Sequence, residues 1–361
     1  MSRSPTFIVA LVIAAAAAVF FFVLRPAENA VTQRAETSQQ SGGGLVQAAE
    51  AAEVPSDPRL RGWQREGWQT DFSRIEIDAG EILSGGPPRD GIPSIDKPQF
   101  IPVAEEDSIP DREPVVSLVI NGDARAYPLR IMMWHEIAND VVGGVPVAVT
   151  YCPLCNAAIV FDATVDGVAR DFGTTGKLRH SDLVMYDRQS ETWWQQFSGK
   201  GIIGKHAGDK LTMVPSRLDS WGRFKAEHPD GKVLVPNNPR MRQYWRNPYG
   251  GYDTANSPFL FRGALPENMP AMERVVLIRD GEPSAYTISL LQDKGEIVEG
   301  DVKVAWQPGQ ASALDANKIE DGRDVGNVTV TRVSDGSPIV HDVTFAFVVN
   351  AFEPSLIIRT Q

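Results

Sequence analysis

The sequence predicts a β-rich α+β fold built from two related halves, each with a β-hairpin, a short helix and further strands, behind an N-terminal membrane anchor. Three observations carry this. Val115-Val116-Ser117-Leu118-Val119-Ile120-Asn121-Gly122, leading into Ala124-Arg125-Ala126-Tyr127-Pro128, is echoed by Val275-Val276-Leu277-Ile278-Arg279-Asp280-Gly281, leading into Ser284-Ala285-Tyr286-Thr287. Both read as a strand, an Asn-Gly or Asp-Gly turn, and a returning strand, because that dipeptide supplies the positive φ angles of a tight hairpin. The shared Ala-Tyr after the turn marks the two as copies. Finally, Phe7 to Leu24 is an unbroken apolar run of 18 residues between Arg3 and Arg25. At about 1.5 Å per residue it just spans a hydrocarbon core.

Each element follows in order. Residues 1–25 form the anchor or a signal segment. The exit Arg25-Pro26-Ala27-Glu28-Asn29-Ala30 is a poor cleavage site, so an uncleaved, single-pass anchor is favoured over a removed leader. The charge on Arg3 and the free amine places the N-terminus in the cytoplasm and the bulk of the chain outside it, in the periplasm. Residues 26–57 read as a disordered linker with Gly42-Gly43-Gly44 at its centre and no aromatic residue. Residues 58–270 form the first half with a Trp-rich extension, and residues 271–361 a shorter, degenerate second half. In each half a helical stretch follows the hairpin, Leu129 to Val142 and Ile288 to Val298. A strand comes next, Val145 to Thr150 and Val302 to Trp306. A further strand runs toward Phe161-Asp162-Ala163 or Leu314-Asp315-Ala316. Asp166-Gly167 and Asp321-Gly322 then stand at hairpin positions.

Composition excludes several classes. With 35 basic against 46 acidic side chains the net charge is −11, which argues against a nucleic-acid partner. Two cysteines cannot build a disulfide scaffold. Gly173-Thr174-Thr175-Gly176-Lys177 lacks the spacing of a phosphate-binding loop, so no nucleotide is expected.

The sharp chemical signal is Tyr151-Cys152-Pro153-Leu154-Cys155-Asn156, a cysteine pair at the end of an apolar strand. Such a turn can chelate a soft or borderline ion, with copper and zinc the leading candidates. It can also cycle between dithiol and disulfide, or serve a thiol enzyme. It can equally be a structural disulfide in a non-catalytic envelope module. Covalent haem attachment would need His after the second cysteine, where Asn156 stands. The matching stretch of the second half, Ala305-Trp306-Gln307-Pro308-Gly309, has no cysteine. A pair that only braced a recurring turn would be expected in both copies. His135, four residues before Asn139 on the expected helix, is the candidate third metal ligand. Asn139, Tyr151, Ser181, Asp182 and Gln196 are candidate pocket residues. Ser181 to Arg188 and Trp193 to Phe197 read as a hairpin beside the cysteines.

Together these residues resemble a prokaryotic domain-of-unknown-function family numbered 3179. The resemblance rests on Ala124 to Leu129, Trp134-His135-Glu136, Asn139-Asp140, the run Val147 to Asn156, Phe172-Gly173, Gly176-Lys177-Leu178, Ser181 to Arg188, Trp194-Gln195-Gln196, Gly199 and Trp221. It is strong over 114–236 and weaker beyond. Asn156 stands where that family usually has a small residue, often Gly. The resemblance implies the fold unit and an extracytoplasmic setting, and assigns no reaction.

Overall fold

The computed structural model describes residues 57–361. The expected anchor and most of the linker lie outside these residues. Among the described residues no helix is long and apolar enough to cross a membrane. Strands hold 37% of the described residues and helices 16%, so sheet pairing sets the architecture.

The repeat is visible strand by strand. In the first half the sheet order is Ser216–Ser220, Pro114–Ile120, Asp123–Pro128, Lys232–Val235, with Gln99–Pro102 added at the edge. In the second half it is His341–Phe345, Arg274–Ile278, Ser284–Thr287, Ile358–Arg359. The pairings run antiparallel, antiparallel, parallel in both. Each half then adds an antiparallel sheet: Ile137–Val142, Val145–Cys152 and Ala157–Asp162 in one, and Glu296–Glu299, Val302–Gln307 and Asn327–Arg332 in the other. Helices Leu129–His135 and Trp221–Glu227 match Ile288–Lys294 and Ala346–Phe352.

Four expectations need correction. The first helix does not run to Val142 but stops at His135. Residues 137–142 instead form a strand that turns back through Gly143-Gly144, both with positive φ. The β-branched Ile137, Val141 and Val142 suit a pleated sheet, and the glycine pair supplies the tight turn. The second helix likewise stops at Lys294, where Gly295 takes a positive φ. Leu314-Asp315-Ala316 is not a strand, and Asp321-Gly322 closes a 3-10 turn; the true partner strand is Asn327–Arg332. Asp166-Gly167 does sit at a hairpin, between Thr164–Val165 and Val168–Ala169.

Register aligns the copies residue by residue. Ile137 faces Thr150 as Glu296 faces Ala305. Glu136 therefore matches Gly295, Tyr151 matches Trp306, and Cys152 matches Gln307. One hydrogen bond repeats at this place: Tyr151 N donates to Glu136 O at 2.8 Å, and Trp306 N to Gly295 O at 2.9 Å.

The halves are also clasped reciprocally. Asn156 Nδ2 donates to Val343 O at 2.9 Å, and Gln310 Nε2 donates to Leu218 O at 3.1 Å. Val343 and Leu218 are equivalent, since they pair with Val276 and Val116. One hydrophobic cluster runs through both halves, from Val116 and Tyr127 to Phe345 and Val349. The first half alone carries a further sheet: Ile82–Ser84, Phe172–Arg179, Asp182–Asp187, Trp193–Gln195 and Gly201–Ile203. Its far face packs Trp193 against Trp63, Trp68 and Phe72. Its near end reaches the cysteines.

Candidate metal centre

The cysteine turn follows from local sequence. The strand Val145–Cys152 ends at Cys152, and Pro153 holds the φ that starts a turn. Cys155 N bonds to Cys152 O and Asn156 N to Pro153 O, both at 3.2 Å. Asn156 adopts φ +52°, a left-handed conformation that asparagine and glycine tolerate. Strand Ala157–Asp162 then returns beside the first. Such a turn puts both sulfurs on one side.

The third member arrives from another sheet. Strands Phe172–Arg179 and Asp182–Asp187 meet at a two-residue turn, His180-Ser181, with both residues at positive φ. Non-glycine residues there cost backbone energy, roughly 1–3 kcal/mol each. That turn carries Asp182 to the thiols. The Cys152 thiol donates to Ser181 O at 3.7 Å. One ligand atom each from Cys152, Cys155 and Asp182 lies within 4.8 Å of the others. All three residues are buried, and both cysteines are free thiols.

The electrostatics are unusual for a buried site. Asp182 Oδ2 accepts from Gln195 Nε2 at 2.5 Å and from Phe197 N at 2.9 Å. Oδ1 is buried with no hydrogen-bond partner. Burial pushes the Asp182 carboxyl up to about 6, against those donors. Burial also raises both thiols, Cys155 well above its ordinary value. Glu136, next to the cysteine strand, is pushed up to about 8 by burial and then by Asp182. Among the described residues no Lys or Arg forms a salt bridge with Asp182 or Glu136. Four buried acidic groups thus lie in this region, and among the described residues neither carboxylate has a salt bridge to Lys or Arg. Such groups either hold their protons or take up a metal ion, because isolated buried charge is too costly.

The pocket residues predicted from sequence divide clearly. The structure joins Cys152 and Cys155 and brings Asp182 into the same group. His135 is not in this group. Its Nδ1 lies 2.7 Å from Pro93 O and its Nε2 2.8 Å from the Tyr244 hydroxyl, so both nitrogens are occupied. Asn139 is on a strand and shares no helix face with His135. Its side chain bonds Asp96 Oδ1 at 2.8 Å, and also Phe172 O and Phe172 N, tying two sheets together. Tyr151 is fully buried, its hydroxyl 3.5 Å from Asn156 Oδ1. Ser181 donates to Phe259 O. Gln196 donates to Thr150 Oγ1 at 2.9 Å and to Ala157 O at 3.2 Å, bracing the cysteine strand, while its Oε1 has no partner. Sequence reasoning missed Glu136 as a site residue. The signal was present in the repeat: a glutamate where the sister copy has Gly295.

The family model described as "Protein of unknown function (DUF3179)" matches residues 89–355. The chain belongs to that family. Neither the curated proteins nor the solved structures contain a match to it. The matched span holds most of both halves, with the cysteine turn, Glu136 and Asp182.

Proposed function

We propose that this protein binds a metal ion, copper or zinc, through Cys152, Cys155 and Asp182, with one coordination position open. The observation that carries this is the meeting of ligand atoms of Cys152, Cys155 and Asp182 within 4.8 Å, in three buried residues, with Asp182 Oδ1 lacking a hydrogen-bond partner. Two sulfurs and an oxygen suit a soft or borderline ion, and an ion there would meet the uncompensated acidity. The second sheet was needed to bring Asp182 in, so the arrangement is more than a turn motif.

The same proximity of two thiols suits a reversible disulfide. Against that, a reactive cysteine is normally exposed and lowered in pKa, whereas here burial raises both thiols. We place this centre outside the cytoplasm, on a chain tethered by residues 7–24; the length of the run and its poor cleavage site support that setting.

Metal analysis of the full-length protein tests the reading. Wild type purified under reducing conditions carries about one equivalent of copper or zinc, and a Cys152→Ser, Cys155→Ser double variant carries none. Equal metal content in the two, with a free-thiol count that rises by two on reduction of the wild type, would replace the metal centre by a disulfide.

A further inference from the structure

The first half ends its repeat at Lys232–Val235, and the second opens at Arg274–Ile278. Residues 236–273 join them with no strand and no helix beyond the 3-10 turn Tyr252–Thr254. Connections in compact domains run about 4–6 residues, and much longer irregular ones usually serve a site. This one crosses the cysteine centre. The Tyr252 hydroxyl donates to Leu154 O, between the two cysteines, at 3.0 Å, and accepts from Phe259 N at 3.3 Å. The Ser181 hydroxyl donates to Phe259 O, and Ser181 O receives the Cys152 thiol at 3.7 Å. The Phe259 backbone is thus latched on one side to the cysteine turn and on the other to the turn that carries Asp182.

Around these latches the segment faces water. Pro258 is buried and Phe259 half-buried, while Thr254, Asn256, Ser257 and residues 262–265 are exposed. Residues 254–270 therefore lie between the ligand turns and solvent. Two further contacts hold them down: the Phe261 ring packs on Phe347 at 5.0 Å and on His180 at 6.2 Å, and Asn350 Nδ2 donates to Ala264 O at 2.9 Å. Among the described residues this segment joins no sheet. The strands that carry Cys152 and Asp182 are each paired on both sides. Leu260 has φ +51°, a strained conformation for a bulky residue that lifting the segment would relieve. Of the elements around the centre, this one moves at the lowest cost.

Resting on the metal-centre reading above, we propose that residues 254–270 are a strap that gates the centre: it lifts from Phe259 to admit an ion and closes to keep solvent and thiol reagents out. Cys152, Cys155 and Asp182 are all buried, so an ion reaches them only if a covering element moves. A gate sets how fast ions enter and leave, and leaves the affinity of the ligands unchanged. A brace would do the opposite, holding the ligands in place and setting affinity.

Two variants of the full-length protein loosen the strap without altering a thiol, Asp182 or the Tyr252 latch: Phe261→Ala and Asn350→Ala. Metal-free proteins are first treated, unfolded by nothing, with an aromatic disulfide reagent that labels free thiols. Wild type reacts slowly, Asn350→Ala about fivefold faster, and Phe261→Ala about tenfold faster or more. Low urea leaves these rates unchanged, because the opening is local. Cobalt(II) is then added, and its thiolate bands report entry and, with a chelator, loss. Both rates rise by the same factors as labelling, and the dissociation constant stays within about twofold. Labelling and cobalt rates equal to wild type would overturn the strap, as would rates that rise only in step with lost global stability. Faster loss with unchanged entry, and so weaker binding, would make the segment a brace and sink the proposal. Absence of thiolate bands in wild type would remove the metal reading, while thiol labelling, which needs no metal, would still decide whether the strap gates the cysteines.

Discussion

The turn after strand Val145–Cys152 and the turn after strand Val302–Gln307 occupy equivalent places in the two halves. Both are clasped by an amide side chain that crosses to the other half, Asn156 in one and Gln310 in the other. Both follow a left-handed residue whose carbonyl takes the same bond. Only one carries two thiols. The clasp is therefore what the fold needs at this point, and the cysteines serve something else.

A second contrast sharpens the first. Most of the other buried carboxylates of this protein are paired with arginine. Asp253 accepts from Arg274 Nη2 and Arg323 Nη1 at 3.0 Å each, and from the Ser312 hydroxyl. Although burial opposes it, those partners hold its carboxyl below the usual range. Asp219 lies between Arg217 and Arg223, Asp342 against Arg279, and Asp140 against Arg125. Asp182 and Glu136 have no such partner. Asp187, also buried without a basic partner, is instead satisfied by Ser190 and Trp194; Asp182 differs in having one oxygen left over beside the thiols.

The largest expected effect separates these classes. Asp253→Asn strips Arg274 and Arg323 of their shared counter-charge and costs about 3–5 kcal/mol of unfolding free energy, with metal stoichiometry unchanged in the protein that remains folded. Asp182→Asn leaves the metal-free protein as stable as wild type or more so, and removes the metal. Chemical denaturation and metal analysis of both variants check this. If Asp182→Asn destabilised as strongly as Asp253→Asn, the contrast would collapse.

Acidity gives the next effect. The folded metal-free protein holds protons on Asp182 up to about 6 and on Glu136 up to about 8. The unfolded chain releases them near the ordinary values of 3.8 and 4.5. Between those limits the native state binds more protons than the unfolded state, so these two groups lower stability as pH rises from about 4 to about 8. Unfolding free energies at pH 5 and pH 8, for metal-free wild type beside Asp182→Asn, Glu136→Gln, should show a shallower decline in the double variant. Equal slopes would mean that the two carboxyls titrate as if exposed.

The smallest effect tests the clasp. Asn156→Gly, which keeps the left-handed backbone comfortable, and Gln310→Ala should each cost about 1 kcal/mol for a lost buried hydrogen bond. Thr344→Val removes the bond from its hydroxyl to Cys155 O, 2.8 Å long, at similar cost. Asn156→Gly and Thr344→Val should speed metal extraction by a chelator, and Gln310→Ala should not. Faster extraction from all three would show that the second half steadies the centre as a whole and not through the cysteine turn.

Much of the fold was legible because it depends on neighbours in sequence. Asn121-Gly122 and Asp280-Gly281 mark hairpins through their own backbone preferences. Apolar runs such as Val115 to Ile120 are long enough to be read as strands. The helix ends were misjudged because apolar residues such as Ile137 and Val142 suit a helix face as well as a strand. One left-handed residue, Glu136, decides between them. That residue also separates the site candidates: His135 closes the helix and is tied to Pro93 and Tyr244, while Glu136 turns the chain beside the thiols.

The sequence by itself determined the repeat, the strand that ends in Cys152, and the two-residue spacing that puts both sulfurs in one turn. These follow from alternation, turn chemistry and chain geometry, all of them local. Only the tertiary structure decided that Asp182, on a different sheet, and not His135, comes to lie beside the two cysteines. It also decided which buried acids meet arginine and which meet only neutral donors. The pairing of a charge depends on which sheets pack together, and sheet packing is set by the summed burial of many apolar side chains rather than by any motif around the charge.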